Sequence, residues 1–321
     1  MNKRNFLLSA ALLATAPRFA QAQGAPGGQT LRIVLAVPPG GASDTAARLL
    51  AQSLSRGLGQ PVVVENRPGG NGVPAVQAVL AAPADGMTLL WAMSSMTGMP
   101  QLVKSSPVKS MAEFTPVAPV VNLMYGLMVN PKVPASTLAE LGAYLKANPD
   151  RLSFGTGVLS EYMVTAQYLR AVGGKAQRVP YRGGAQLMPD LMTGEVQFYI
   201  GPLAPALPHV KSGKLRLLAT LPDRVEATPG VPPLTDVGVS VNGLPLWNGL
   251  LAPPKTPGDV VARLSQEVNR ALADPALRNA FEAQGLRVTC GTPQQLGLAI
   301  ESAETAWRQF IRDYDIPQEG T

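Results

Sequence analysis

Side chains able to perform covalent or acid–base chemistry are scarce in this sequence. Histidine occurs once, at His209, and cysteine once, at Cys290. A hydrolytic triad needs a base beside an activated nucleophile, and no Gly-x-Ser-x-Gly elbow accompanies His209. One histidine and one cysteine do not make a zinc site. His209, next to Pro208, reads as a surface or capping residue, and Cys290 as a buried thiol at a strand end. No Gly-x4-Gly-Lys-Ser/Thr phosphate loop is present. Gly70-Asn71-Gly72-Val73-Pro74-Ala75 fits the Gly-x-Gly-x-x-Ala pattern, but the next strand ends Leu90-Trp91-Ala92-Met93, without the acid that would hold a ribose. That loop reads as a place where backbone approaches something closely. The expectation is therefore no catalytic residue, no metal ligand set and no cofactor.

The chemistry that the sequence does offer is hydrogen bonding from loops. Four loop segments at strand ends are rich in glycine or in hydroxyl residues. Pro39, Gly40, Gly41 and Ser43 form the first, and Ser94, Ser95 and Thr97 the second. Thr156, Gly157 and Ser160 form the third, and Tyr181, Gly183 and Gly184 the fourth. The first, third and fourth adjoin a helix start, and the second follows a strand. Such starts carry unpaired N–H groups and a partial positive charge, which suit a carboxylate. Glycine lets the backbone itself be the donor. These thirteen residues are the candidate ligand site, with a small organic acid as the expected ligand.

The elements that must position them follow from the hydrophobic pattern. Leu31 to Val37 reads as a buried strand. A helix begins near Ser43, carries Ala46, Ala47, Leu49, Leu50 and Leu54 on one side, and stops at Gly57 and Gly59. Strands are expected at 61–65 and 88–91, with a helix opening at Pro74 between them. The second half repeats the theme. Thr137 to Glu140 opens a helix that ends near Asn148, and Ser160 to Val172 is a helix closed by Gly173. Strands are expected at 152–155, 177–180, 195–200 and 215–220. Pro189 falls in a helical stretch, where proline suits the first turn. Three helices close the chain, from Thr256, Asp274 and Thr292. Alternation of strands and helices implies mostly parallel sheets with ligands at strand C-terminal ends.

Composition bounds the remaining possibilities. The basic residues exceed the acidic by 27 to 21, a net +6. Lys3, Arg4 and the apolar run Phe6–Ala16, followed by Ala20-Gln21-Ala22, read as a secretory signal peptide over residues 1–22, cut after about Ala22. Lys3-Arg4-Asn5-Phe6-Leu7 also leaves a twin-arginine export route open. The leader holds Lys3, Arg4 and Arg18 and no acids, so the remaining chain carries only +3, mostly scattered. That excludes a nucleic-acid footprint. No second long apolar run follows, so no membrane span is expected. Gly 32 and Pro 31 fall between periodic segments and mark tight connections.

The segment VPPGGASDTAARLLAQSLSRGLGQPVVVENRPGGNG closely resembles the N-terminal signature of the substrate-binding proteins of tripartite tricarboxylate transporters, the Bug family. The likeness continues through AAPADGMTLLW, MAEFTPVAPV, VPYRGG, ALPHVKSGKLRLLA, LLAPPKTPGDVVARL and ADPALRNAFEAQG. It implies a two-lobed α/β clamshell of the type II periplasmic binding kind. Lobe one would hold residues 30–129 and 245–321, lobe two residues 130–244, with a hinge near 129–131 and 243–247. It also implies a monomeric periplasmic receptor that hands a carboxylate to a two-component membrane permease. A ligand-presenting sensor partner is the alternative, and a periplasmic hydrolase a lesser one. The sequence departs from the family pattern in the second lobe, where Leu159 and Glu161 stand in Gly157-Val158-Leu159-Ser160-Glu161-Tyr162, and at Gln197, Trp91 and Met93. These departures imply a ligand larger, more aromatic or more apolar than a short dicarboxylate. Trp91, Tyr125, Tyr162 and Trp247 read as core residues. Asp44 reads as a first-turn charge complementing its helix dipole.

Overall fold

A computed structural model describes residues 29–222, 224–225, 228–239, 246–314 and 316. The signal peptide expected at 1–22 lies outside them. The chain opens with β1 (Leu31–Leu35), α1 (Ala42–Leu58), β2 (Val62–Asn66), α2 (Val73–Leu80) and β3 (Thr88–Met93). A short helix, α3 (Met99–Leu102), leads to β4 (Thr115–Leu123). The middle runs β5 (Tyr125–Val129), α4 (Leu138–Ala147), β6 (Ser153–Thr156), α5 (Leu159–Val172), β7 (Gln177–Pro180) and α6 (Gly184–Thr193). It ends with β8 (Phe198–Pro202), α7 (Leu207–Lys211) and β9 (Arg216–Leu221). The chain then returns through β10 (Trp247–Ala252), α8 (Gly258–Ala273), α9 (Pro275–Ala283), β11 (Leu286–Val288) and α10 (Pro293–Tyr314).

These strands form two sheets, one per lobe. The first has the order β11-β4-β10-β3-β1-β2 and the second β7-β6-β8-β5-β9. The two-lobed α/β architecture is as expected. The sheets, however, are mixed and not mostly parallel. β1 pairs parallel with β2 and β3, while β10 runs antiparallel to β3 and β4, and β11 antiparallel to β4. In the second sheet β6 is parallel to β7 and β8, and β5 is antiparallel to β8 and β9. The antiparallel pairings come from the strands that leave and re-enter each lobe, which the strand–helix alternation does not describe.

β4 escaped the sequence pattern because Pro116 and Pro119 interrupt it. Proline cannot donate to a ladder and normally marks an edge. Here β4 is flanked on both sides. It tolerates the prolines through two register shifts against β10, where Gly249 faces Pro119 and Leu251 faces Pro116. Pro189 likewise sits in the second turn of α6, not the first, so the helix gives up one N–H bond there. Cys290 is exposed, not buried, because β11 stops at Val288 and the thiol falls in the following loop.

The lobes join where β4 gives way to β5. Only Met124 separates them, so sheet membership changes ahead of the boundary expected at 129–131. The return expected at 243–247 lies partly outside the described residues. A third link is made by the end of α10. Phe310 meets Tyr162 of α5 edge-on at 6.2 Å, and Arg170 of α5 donates to the Asp313 carbonyl at 3.1 Å. Among the described residues, no helix is long and apolar enough to cross a membrane.

The core of the first lobe is pinned by one amide. Trp91, wholly buried on β3, points its indole at Asn248 of β10. With its amide oriented to satisfy both ends, Asn248 Oδ1 accepts from Trp91 Nε1 at 3.0 Å and from Ser43 Oγ at 2.8 Å, and its Nδ2 donates to the Trp247 carbonyl at 3.0 Å. This locks the first turn of α1 onto the sheet. Asn248→Ala strands two buried donors, each costing about 1–3 kcal/mol. At about 2–4 °C per kcal/mol for a lobe of this size, the melting temperature should fall by several degrees. An unchanged melting curve would show that the amide holds nothing.

Candidate functional site

Two connected cavities lie between the lobes. The outer one has a volume of about 240 Å³ and the inner one about 60 Å³. Met93, Ser95 and Val158 line both and mark the passage between them. The outer cavity faces the Gly69–Gly72 loop from lobe one, and Thr156, Gly157, Arg178 and Arg182 from lobe two. The inner cavity is mostly apolar, with Leu123, Met188, Pro202 and Pro205 among its walls.

Each wall has a local cause. α1 starts at Ala42, its N-cap Gly41 carries no side-chain cap, and Gly41, Ala42 and Ser43 line the inner cavity. The loop before it is held by Asp44. Its carboxylate accepts from Gly40 N–H at 3.0 Å, Arg48 Nε at 2.9 Å and Asn66 Nδ2 at 2.9 Å. Burial would raise its pKa, but these bonds outweigh burial and leave it below the ordinary carboxylate value. α6 begins in the same way, at Gly183, again without a side-chain cap. α5 differs, because Glu161 in its first turn folds back onto its own entrance.

Of the thirteen candidate residues, ten line the cavities. Gly41, Ser43, Ser94, Ser160, Gly183 and Gly184 line the inner one, and Ser95 lines both. Thr156, Gly157 and Tyr181 line the outer one. Pro39 and Gly40 do not. They are exposed at the crest of the loop, where Gly40 takes φ +92° and turns its N–H to Asp44. Their neighbour Pro38 takes that place in the wall. Thr97 is buried behind the wall, its hydroxyl donating to the Ser94 carbonyl at 2.6 Å.

The glycines of lobe two serve close packing more than donation. A Cβ at Gly157 would lie 2.6 Å from the Gly183 carbonyl carbon, and one at Gly183 would lie 2.8 Å from Pro38 Cδ. Gly157, Gly183 and Pro38 therefore stack in series across the cleft. The Gly157 N–H is already used, since it donates to Glu161 Oε2 at 2.5 Å.

Sequence reasoning passed over several wall residues. Tyr125 and Tyr199 are buried on β5 and β8, and Tyr125 Oη lies 3.1 Å from Ser160 Oγ. Tyr125 had been read as core, which its burial supports, yet it also forms cavity wall. Asn248 and Met188 join them in the inner wall. Arg178 is held rigidly in the outer one. Its Nε donates to Thr156 Oγ1 at 3.0 Å, and its guanidinium lies 4.1 Å over the Tyr162 ring. The only sequence signal for Arg178 was a basic residue in a short strand beside the fourth loop. Arg182 is exposed at the outer cavity.

Glu161 is 2% exposed. Its Oε2 accepts from Gly157 and Val158 N–H, the latter at 3.2 Å, and its Oε1 accepts from Tyr199 Oη at 2.5 Å. Burial pushes its pKa up to about 7, against the pull of those donors and of the Arg178 charge. The Tyr125 and Tyr199 hydroxyls are also raised, by burial first and by the Glu161 charge second.

The family model for the tripartite tricarboxylate transporter family receptor matches residues 46–316. The chain belongs to that receptor family. BugT of Bordetella pertussis is 33% identical over 289 residues, covering 88% of each chain. MatC of Rhodopseudomonas palustris, solved with malate, superposes with a TM-score of 0.81 at 26% identity, covering 88% of this chain and 98% of MatC. A second R. palustris protein, solved with adipate, gives 0.84 at 26% identity, covering 91% and 98%. Receptors of this family are solute-binding proteins and not enzymes, and they work in the periplasm.

The receptor's buried glutamate predicts a pH signature. The folded-state pKa of Glu161, about 7, lies above the ordinary glutamate value of 4.5. The native protein therefore holds a proton that the unfolded chain releases, and stability falls as pH rises from 4.5 through about 7. At about 1.4 kcal/mol per pKa unit, the loss is on the order of 3 kcal/mol. Melting curves should show this decline in the native protein and its absence in Glu161→Gln. A decline of equal size in both would remove Glu161 as its source.

Proposed function

We propose that this receptor captures a small organic acid by closing its lobes, and delivers it to a two-component membrane permease. The signal peptide expected at 1–22 would place it in the periplasm, where it would work as a monomer. The observation that carries the reading is the composition of the two cavities. Their walls come from both lobes, and they bring uncapped helix starts, small hydroxyls and Arg178 to one water-excluding cleft. The malate and adipate held by the structural neighbours match the chemistry that such a wall selects.

The mechanism is capture by closure. In the open form the N–H groups of α1 and α6 are hydrated. A carboxylate in the cleft would take its donors from the uncapped starts of α1 and α6 and from Ser95, with Arg178 and Arg182 on the outer side. Closure about Met124 and the return crossing would bring Pro38 onto Gly183 and exclude solvent. Closed lobes are the face a permease could tell from open ones. The acid shifts the population because only the closed form offers both walls.

Thermal unfolding against a panel of organic acids tests the reading. A ligand at 1,000 times its Kd stabilises by about 4 kcal/mol, a shift of several degrees. One class of acid should raise the melting temperature, and Arg178→Ala should weaken that class roughly tenfold or more. No shift with any acid, after refolding to remove a carried-over ligand, would contradict the proposal. Gly183→Val tests closure separately. The larger side chain would collide with Pro38, so affinity should drop while the unliganded melting temperature stays within a degree or two. Undiminished affinity would mean that this contact plays no part in closure.

A further inference from the structure

Glu161 and Tyr199 lie in the wall of the inner cavity, beside its carboxylate donors. The uncapped starts of α1 and α6 line that cavity from opposite lobes, together with Ser94 and Ser160. Tyr199 Oη sits against the α6 start, where a Cβ on Gly184 would lie only 3.0 Å from it. There the hydroxyl could serve an acid bound at α6, but its hydrogen is directed to Glu161 Oε1 at 2.5 Å. A proton added to Glu161 at Oε1 reverses that bond. The carboxyl O–H then donates to Tyr199 Oη, and the tyrosine hydrogen turns into the cavity. The bonds that Oε2 accepts from Gly157 and Val158 N–H survive the change. The ionisable groups facing Glu161 are Tyr199 from β8, Tyr125 from β5 and Arg178 from β7. Those of other neighbouring elements are turned elsewhere: Asp44 of α1 to Gly40, Arg48 and Asn66, Asp190 of α6 to Tyr181, and Asp236 to Arg224. α4 and α10 meet α5 at other points, through Val172 and through Tyr162 and Arg170.

We propose that Glu161 and Tyr199 form a proton-dependent donor in the ligand site: as the receptor binds a carboxylate, Glu161 takes a proton from water, and the released Tyr199 O–H joins the α6 start in holding the acid. This rests on the proposed function and adds to it a ligand-binding residue, Tyr199, and a positioning residue, Glu161. The electrostatics run the same way as the hydrogen bonds. An ionised ligand and an ionised Glu161 would be two anions in one buried site, so one of them has to carry a proton. The ligand lies against two helix starts, whose partial positive charge keeps it ionised. Glu161 has no such support from α6, and burial has already raised it to about 7, so the proton goes there. Tyr199 is raised well above the ordinary tyrosine value by burial, which keeps its O–H intact as a donor. The same carboxyl therefore caps α5 in the empty receptor and sets the tyrosine hydrogen free in the loaded one.

Calorimetric titration of the native receptor with malate, adipate and benzoate, in buffers of different ionisation enthalpy, tests this. Whichever acid binds should bring a net uptake of up to about one proton between about pH 7 and 8, and its affinity should fall roughly tenfold from about pH 6.5 to 8.5. These acids stay almost wholly ionised over that range, so their own titration does not produce the trend. Glu161→Gln keeps a neutral side chain whose amide can donate to Tyr199. It should abolish the proton uptake and hold the affinity near its low-pH value throughout. Tyr199→Phe should weaken binding more at pH 6.5 than at 8.5, because at high pH the hydroxyl is committed to Glu161. The native titration decides the matter by itself if either variant fails to fold. An affinity independent of pH with no proton taken up, or a proton uptake that persists in Glu161→Gln, would overturn the proton-dependent donor and leave the receptor reading standing. Binding by no acid at all would overturn both.

Discussion

Burying one carboxylate beneath the cleft is the constraint around which the second lobe is arranged. An isolated carboxylate is costly to remove from water unless donors surround it. Glu161 meets that demand with two backbone N–H groups at its own helix entrance and the hydroxyl of Tyr199. Satisfying it fixes the turn from Thr156 to Val158, and so fixes where α5 begins. The turn in turn sets the glycine stack, because Gly157 abuts Gly183, and Gly183 abuts Pro38 of the other lobe. One buried charge thus reaches, through two glycine-width contacts, to the face on which the lobes meet.

The first lobe solves a different problem with different groups. Its contribution is the uncapped start of α1, which has to be rigid yet unbonded on the cleft side. Asp44 ties down the preceding loop through Gly40, Arg48 and Asn66. Asn248 ties down Ser43 and Trp91 from behind. Both sets of bonds run away from the cavity, so the helix start is held in place and its donors stay available. The second lobe matches it with the uncapped start of α6, while the start of α5 has spent its donors on Glu161. The inner cavity is thus lined by the α1 and α6 starts, and the outer one by Arg178 and Arg182.

The legible part of this structure was whatever local pattern determines. Helix starts at Thr137 and Asp274 and stops at Gly59 and Gly173 follow from capping chemistry and positive φ, and they appear in the sequence as single residue types. The four loops were legible because glycine or hydroxyl residues gathered at strand ends, three of them before a helix, and ten of their thirteen residues reached a cavity wall. Pro39, Gly40 and Thr97 missed because whether a loop residue faces in or out depends on one backbone turn and one side-chain bond. The antiparallel strands were illegible for a tertiary reason. β4 contains two prolines and β10 returns from a distant part of the chain, so their pairing is decided by the opposite strand. The inner wall was hidden in the same way, since Tyr125, Tyr199 and Asn248 look like ordinary core residues until the sheets are assembled.

The central claim is that an organic acid is held between the lobes by the helix starts that meet there. A crystal structure of the receptor with the acid that stabilises it most would test this directly. The account predicts a carboxylate within hydrogen-bonding distance of the α1 or α6 start, Ser95 or Arg178, inside the cleft. An acid seated outside the cleft, or one that touches none of these groups, would contradict it.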